Sequence, residues 1–261
     1  LSRGAPEEIV LQALARQPLA TARDLLRGVD LPSEEAQAAL GALREAGAVM
    51  TIPLEGGEAL LLTLEDWQAL LARLGELLGS YHRQYPLRRG MPRGEVRSRL
   101  QAWLPQTQVA VRTFNAVLAA AQMAGALGTD DQTVWQAGFA PLPDERQEAA
   151  VNTLLARYAA APYAPPNIQD SMQILGGNAE LFAYLLDRGL LVRLGDDVLL
   201  RRTDFEAMVA RIREYLQAQG AITLAEVRDL FGTSRKYAQA VLEEMDARRI
   251  TRREGEGRVL R

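Results

Sequence analysis

Apolar residues recur at helical spacing in a fixed order along this chain, and the order comes round four times at about 60 to 78 residues. Each round opens with an amphipathic helix, predicted over 7–16, 64–83, 145–158 and 205–217. A short helix follows, over 21–26, 94–100, 168–175 and 224–231. A longer third helix spans 33–46, 108–124, 179–188 and 234–247, with apolar positions such as Ala36, Leu40 and Leu43, or Val241, Leu242 and Met245. Gly47, Gly125 and Gly189 stand just past the first three of these, where a left-handed glycine ends a helix. Two short apolar or β-branched runs then flank a polar turn. The turns are Glu55-Gly56-Gly57, Asp130-Asp131, Gly195-Asp196-Asp197 and Gly255-Glu256-Gly257. The runs are 49–52 and 59–62, 126–127 and 133–135, 190–194 and 198–201, and 250–253 and 258–260, which are hairpin signals.

Helix, helix-turn-helix and hairpin in about 60 residues is the order of a winged helix, in which the hairpin lies beside the second helix of the turn motif. Hydroxyl caps with an acid three residues on mark helix starts at Thr21/Asp24, Thr203/Glu206 and Thr223/Glu226. Pro141 and Pro143 separate the second and third copies, while Pro162, Pro165 and Pro166 make a rigid loop inside the third. The predicted fold is mainly α with small β-hairpins: four tandem winged-helix domains in an elongated array, at 1–63, 64–139, 140–202 and 203–261. Each copy has the helices and the hairpin to close a core of its own.

Composition removes much chemistry. The 261 residues include no cysteine and one histidine, His82, which excludes disulfides, thiolate metal sites and any two-histidine metal motif. No carboxylate or nucleophile stands at a useful spacing from His82, which suits surface or interdomain packing. The one lysine, Lys236, follows Ser234-Arg235 without the glycines of a nucleotide-binding loop, so no cofactor is expected and no hydrolysis by that route. Apolar runs fall short of the roughly 20 residues that cross a bilayer. Leu1-Ser2-Arg3-Gly4 does not read as a signal peptide, and a start at Leu suggests a fragment or processed form. A cytoplasmic, membrane-free, monomeric chain is expected. Trp67, Trp103 and Trp135 fall in apolar stretches and read as core, and no carboxylate pair suggests an acid/base dyad.

Charge is unevenly spread. The net charge is −3, yet residues 1–200 hold 17 Arg against 23 Asp and Glu (−6), and residues 201–261 hold 13 Arg and Lys against 10 acids (+3). A smaller basic stretch at 81–112 includes Arg88, Arg89, Arg93, Arg97 and Arg99. It is read as bridging to acidic neighbouring copies, with contact to ribosomal RNA or tRNA as the alternative.

Tyr85-Pro86-Leu87-Arg88, Gly90 and Arg97-Ser98-Arg99 are similar to the C-terminal half of the bacterial selenocysteine-specific elongation factors. So, more strongly, are Gly232-Thr233-Ser234-Arg235-Lys236-Tyr237, Thr251-Arg252-Arg253, Gly255 and Arg258-Val259. With the four-copy order, the resemblance covers essentially the whole chain. It implies four winged helices behind a tRNA-delivering GTPase, which is not in this sequence. The last winged helix would bind the selenocysteine-insertion hairpin of a selenoprotein mRNA, so that a UGA codon is read as selenocysteine. Ribosome and selenocysteinyl-tRNA would be partners of the longer protein. Gly257 departs from the lysine common at that wing position, and Glu254 and Glu256 thin the positive field there.

The residues themselves agree when the copies are compared. The third helix starts with Ser33-Glu34-Glu35, Thr107-Gln108-Val109 and Asn178-Ala179-Glu180 in the first three copies, but with Thr233-Ser234-Arg235-Lys236 in the fourth. Two cations at a helix N-terminus cost about 0.3–1 kcal/mol each unless an anion joins them. Backbone N–H groups and cations together suit a phosphate. Ser234, Arg235, Lys236, Tyr237, Arg249, Arg252, Arg253 and Arg258 are therefore the candidate RNA-binding residues, forming one basic face. Arg235 and Lys236 alternatively point to solvent or pair with Glu243 or Glu244, and Tyr237 either stacks on a base or packs under the wing. Arg248 and Arg249 either cap their helix or extend the surface. Two other classes of function fit the same fold: a DNA-binding regulator and a protein-interaction scaffold. Beyond Tyr237 the fourth third helix turns apolar or acidic, so only its first turn is equipped to read.

Overall fold

The computed structural model describes residues 5–105 and 108–261; Leu1-Ser2-Arg3-Gly4 and Thr107 lie outside them. The chain divides into two compact units, Leu1–Pro141 and Leu142–Arg261.

In the first unit, α1 (Pro6–Arg16), β1 (Ala20–Thr21), α2 (Ala22–Arg27) and α3 (Ser33–Glu45) precede the hairpin β2 (Val49–Pro53) and β3 (Ala59–Thr63). The order repeats as α4 (Leu64–Gln84), β4 (Met91–Pro92), α5 (Arg93–Trp103) and α6 (Val111–Met123), then β5 (Leu127–Thr129) and β6 (Thr133–Gln136). The second unit runs α7 (Glu145–Ala160), α8 (Ile168–Ile174), α9 (Ala179–Asp187), β7 (Leu191–Leu194) and β8 (Val198–Arg201). It closes with α10 (Arg202–Gln219), β9 (Ile222–Thr223), α11 (Leu224–Phe231), α12 (Arg235–Ala247), β10 (Thr251–Glu254) and β11 (Gly257–Leu260). These are winged helices in tandem, mainly α with small antiparallel sheets.

Three copies carry a two-residue strand that hydrophobic patterning over so short a stretch does not reveal. β1, β4 and β9 each pair antiparallel with the hairpin's second strand, giving the orders β1-β3-β2, β4-β6-β5 and β9-β11-β10. Copy three has only β7-β8. The segment before its second helix is the Pro162–Pro166 loop, and prolines have no N–H to donate to a ladder.

The expectation that each copy closes its own core is corrected. Copy one has such a core, with Val10, Leu14, Leu25, Leu40, Leu43 and Leu61. Leu60 and Leu62 of the same strand β3 instead join a cluster with Trp67, Leu74 and Leu78 of α4 and Val117 and Leu118 of α6. Alternate residues of a strand face opposite ways, so this wing is buried on both faces. Copy three repeats the device. Val192, Leu194, Val198 and Leu200 of its hairpin share a cluster with Phe205, Met208, Ile212 and Val241 of copy four. The apolar runs Leu60-Leu61-Leu62 and Val198-Leu199-Leu200 fit two-faced burial, each residue at most 3% exposed. In the wing of copy four only Thr251 and Gly257 are buried.

Helix ends follow local chemistry. Thr21 caps the Asp24 N–H, and Thr223 with Glu226 forms a full capping box. Thr203 does not cap: α10 already begins at Arg202, and Arg201 makes two 2.7 Å bonds to the Asp204 carboxylate instead. In copy two the third helix starts at Val111, later than expected.

Candidate nucleic-acid interface

Gly232 ends α11 with a left-handed φ of 58°, and the chain re-enters a helix three residues later. Thr233, within that turn, is buried, and its hydroxyl donates to the Tyr163 carbonyl of the proline loop. Ser234 takes the extended conformation of an N-cap but its side chain makes no capping bond. Arg235 and Lys236, the first two residues of α12, are exposed. Among the described residues Arg235 has no ion pair or hydrogen-bond partner for its side chain. The Lys236 ammonium stands 4.0 Å from Asp197, in the hairpin turn of copy three, with the two side chains 50% and 80% exposed. A pair so exposed contributes only about 0–1 kcal/mol. Glu243 and Glu244 are not its partners, since they accept from Gln239 at 2.8 Å and Arg248 at 2.7 Å. This helix start therefore presents a free hydroxyl, uncapped N–H groups and two loosely held cations, a set of donors suited to an anion.

The other third helices do not offer it. In copy two, Arg112 donates to the Glu55 carbonyl and pairs with Glu58 at 3.7 Å, so the wing of copy one closes that helix start. α3 begins with Glu34 and Glu35. α9 is capped by Asn178, whose side chain accepts the Leu181 N–H at 3.0 Å, and it carries Glu180 in the first turn.

At the other end of α12 the wing is tied down by one carboxylate. Asp246 accepts the Thr251 hydroxyl at 2.6 Å and the Arg258 guanidinium at 3.2 Å. Arg258, expected on the surface, is thus turned inward, with its side chain 12% exposed. Tyr237 is also turned inward. It is half-buried, its hydroxyl donates to the Pro165 carbonyl at 2.8 Å, and burial followed by the nearby Asp170 charge raises its pKa. Arg252 and Arg253 remain exposed on opposite faces of β10, which splits the single basic face read from the sequence. Arg252 reaches Glu254 at 3.3 Å, and Arg253 reaches the Gly255 carbonyl at 3.4 Å. Arg248 is structural: it bonds Glu244 and lies 4.7 Å from the Phe205 ring centre. Arg249 is exposed and left-handed, at φ 59°.

In the basic stretch of copy two, Arg89 and Arg93 pair within their own copy, whereas Arg112 reaches the wing of copy one. Arg89 meets Asp130 at 3.1 Å and lies over Trp135, and Arg93 bonds Thr129, the Asp130 carbonyl and Asn115 at 2.6, 2.9 and 2.7 Å. His82 is buried, stacked on Phe139 with ring centres 3.5 Å apart, and its Nε2 accepts the Gln136 N–H at 3.1 Å. Among the described residues no His, Asp and Glu cluster is placed to hold a metal ion, and no helix is long and apolar enough to cross a membrane.

Two family models described as elongation factor SelB, winged helix, match this chain at residues 76–134 and 214–260. The selenocysteine-specific elongation factor of Desulfomicrobium baculatum is 25% identical over 196 residues, covering 71% of this chain and 29% of that protein. The chain thus spans less than a third of that relative's length. Among solved structures, the mRNA-binding domain of elongation factor SelB from E. coli in complex with SECIS RNA aligns with 46% of this chain and 99% of its own, at 24% identity and a TM-score of 0.38. A bacterial selenocysteine-specific elongation factor, EF-Sec, aligns with 81% of this chain and 32% of its own, at 14% identity and a TM-score of 0.44.

Proposed function

We propose, for a chain that belongs with the C-terminal winged-helix part of the elongation factor SelB family, that its fourth winged helix binds the selenocysteine-insertion hairpin of a selenoprotein mRNA. The observation that carries this reading is the start of α12, which alone among the four third helices offers two exposed cations and an unused hydroxyl. Ser234, Arg235 and Lys236 hold a phosphate there. Arg249, Arg252 and Arg253 extend the contact along the wing, and Tyr237 and Arg258 support it from beneath. The function is binding, not catalysis. In the longer protein it tethers a tRNA-delivering GTPase beside a UGA codon, with selenocysteinyl-tRNA and the ribosome as that protein's partners and the cytoplasm as its place.

The test is a titration of the chain against its host's selenoprotein-message hairpin, with duplex DNA of equal length alongside. Hairpin binding should be the tighter and should weaken linearly in log Kd as log salt rises. DNA bound as tightly as the hairpin would favour a transcription regulator. That outcome is disfavoured by α12 itself, where Ala238 and Val241 are buried and Gln239 is engaged with Glu243.

A further inference from the structure

The two hydroxyl bonds at the start of α12 come from residues on either side of the phosphate-binding segment, and both end on one loop of the preceding copy. Thr233, before Ser234, donates to the Tyr163 carbonyl. Tyr237, after Lys236, donates to the Pro165 carbonyl at 2.8 Å. The loop has acceptors to spare, because Pro165 and Pro166 bring carbonyls without N–H groups. It is anchored from its own side as well. The Tyr158 hydroxyl lies 3.1 Å from the Pro166 carbonyl and 2.8 Å from the buried Ser171 hydroxyl, and the Tyr163 ring packs on Phe231 with centres 5.0 Å apart.

We infer that Thr233 and Tyr237 are positioning residues for RNA binding: they fix the first turn of α12 on the proline loop of copy three, so that copies three and four read the hairpin as one unit. The inference rests on the proposed RNA-binding role of Ser234, Arg235 and Lys236 and adds which groups aim them. Free in solution, the first turn of a helix frays, because its N–H groups have no partners within the helix. Here the frayed end is the part that must meet a phosphate. Two bonds flanking three residues hold that turn in the geometry a phosphate requires, so the ordering cost falls on folding rather than on binding. Tyr237 keeps its proton across the working pH range, since burial raises its pKa, and so remains a donor.

Hairpin titrations over a salt series, on the whole chain, test this. Tyr237→Phe keeps the ring and loses the donor; Thr233→Val keeps the shape and loses the donor. Each should weaken binding by about five- to tenfold and flatten the salt dependence, because Arg235 and Lys236 no longer meet their phosphate together. Thr233→Ser, which retains the hydroxyl, should restore both. A variant that is merely less stable lowers the active fraction and leaves the salt slope unchanged, and that result overturns the inference. Full binding by Tyr237→Phe with loss in Tyr237→Leu assigns a stacking ring and overturns it too. If the unaltered chain ignores the hairpin, the proposed function falls and the inference with it. If the chain binds and the hydroxyl variants bind equally well, only the inference falls.

Discussion

Arg249 occupies in copy four the left-handed turn position that Gly189 occupies in copy three, with φ of 59° and 67°. Both close their helix in one manner. The Arg249 N–H bonds the Asp246 carbonyl and the next residue bonds Met245, as Gly189 bonds Leu186 and its successor bonds Leu185. Gly47 and Gly125 do the same in the first two copies, at φ 70° and 71°. A side chain in this conformation costs about 1–2 kcal/mol that glycine does not. Arg249→Gly should therefore raise the stability of the second unit by about 1 kcal/mol in urea melts. It should also weaken hairpin binding and make the salt slope about one unit shallower. A gain in stability with unaltered binding would remove Arg249 from the interface.

Arg235→Ala with Lys236→Ala should weaken hairpin binding by several kcal/mol, since charge-assisted bonds contribute about 1.5–3 kcal/mol each. The melting temperature should hold or rise slightly, because two cations leave the wrong end of a helix dipole. Arg88→Ala with Arg89→Ala should leave hairpin binding untouched. An early-melting Arg235/Lys236 variant that binds normally would make those residues structural.

Asp197 pairs with Lys236 at 4.0 Å, so the proposed phosphate would have to compete with it. Asp197→Asn should tighten hairpin binding, by no more than the roughly 1 kcal/mol of an exposed pair. Weaker binding in a titration would show instead that the carboxylate helps to aim the lysine.

Burial pushes the His82 pKa below its ordinary value of 6.5. The unfolded chain then takes up a proton at a higher pH than the folded one. The stability that His82 contributes is complete above pH 6.5 and is lost as pH falls from there through the folded pKa. Urea midpoints of the first unit should drop between pH 7.5 and 5.5, and His82→Gln should flatten that trend. Protonation removes the acceptor for the Gln136 N–H, which gives the loss its structural cause.

A chain ended at residue 202 should be unstable in its second unit. Without copy four, the apolar faces of Val192, Leu194, Val198 and Leu200 meet water, and burying each such side chain contributes about 1.5–3 kcal/mol. A chain ended at residue 141 should keep the first unit's melting behaviour. Circular dichroism of the two truncations compares them directly.

Helix order, the glycine stops and the hairpin turns were legible in the sequence because each has its own local signal. The pairing of copies has a fainter signal, the unbroken apolar runs Leu60-Leu61-Leu62 and Val198-Leu199-Leu200, which call for cover on both faces. At the candidate interface, charge reversal at Arg235 and Lys236 was visible. The inward turns of Tyr237 and Arg258 were not, because their partners, Pro165 and Asp246, are set by tertiary placement; Pro165 lies 72 residues away.

A wing covered on both faces has little freedom to change. A charge introduced at Leu199 or Leu200 would be buried against packed helices, so substitution there is answered by unfolding before it is answered by any ligand. The wing of copy four is under no such constraint at Arg252, Arg253 or Glu254, which face water. New ligand preferences can arise there one residue at a time while the scaffold holds. Within the second unit, evolvability sits in copy four and robustness in copy three.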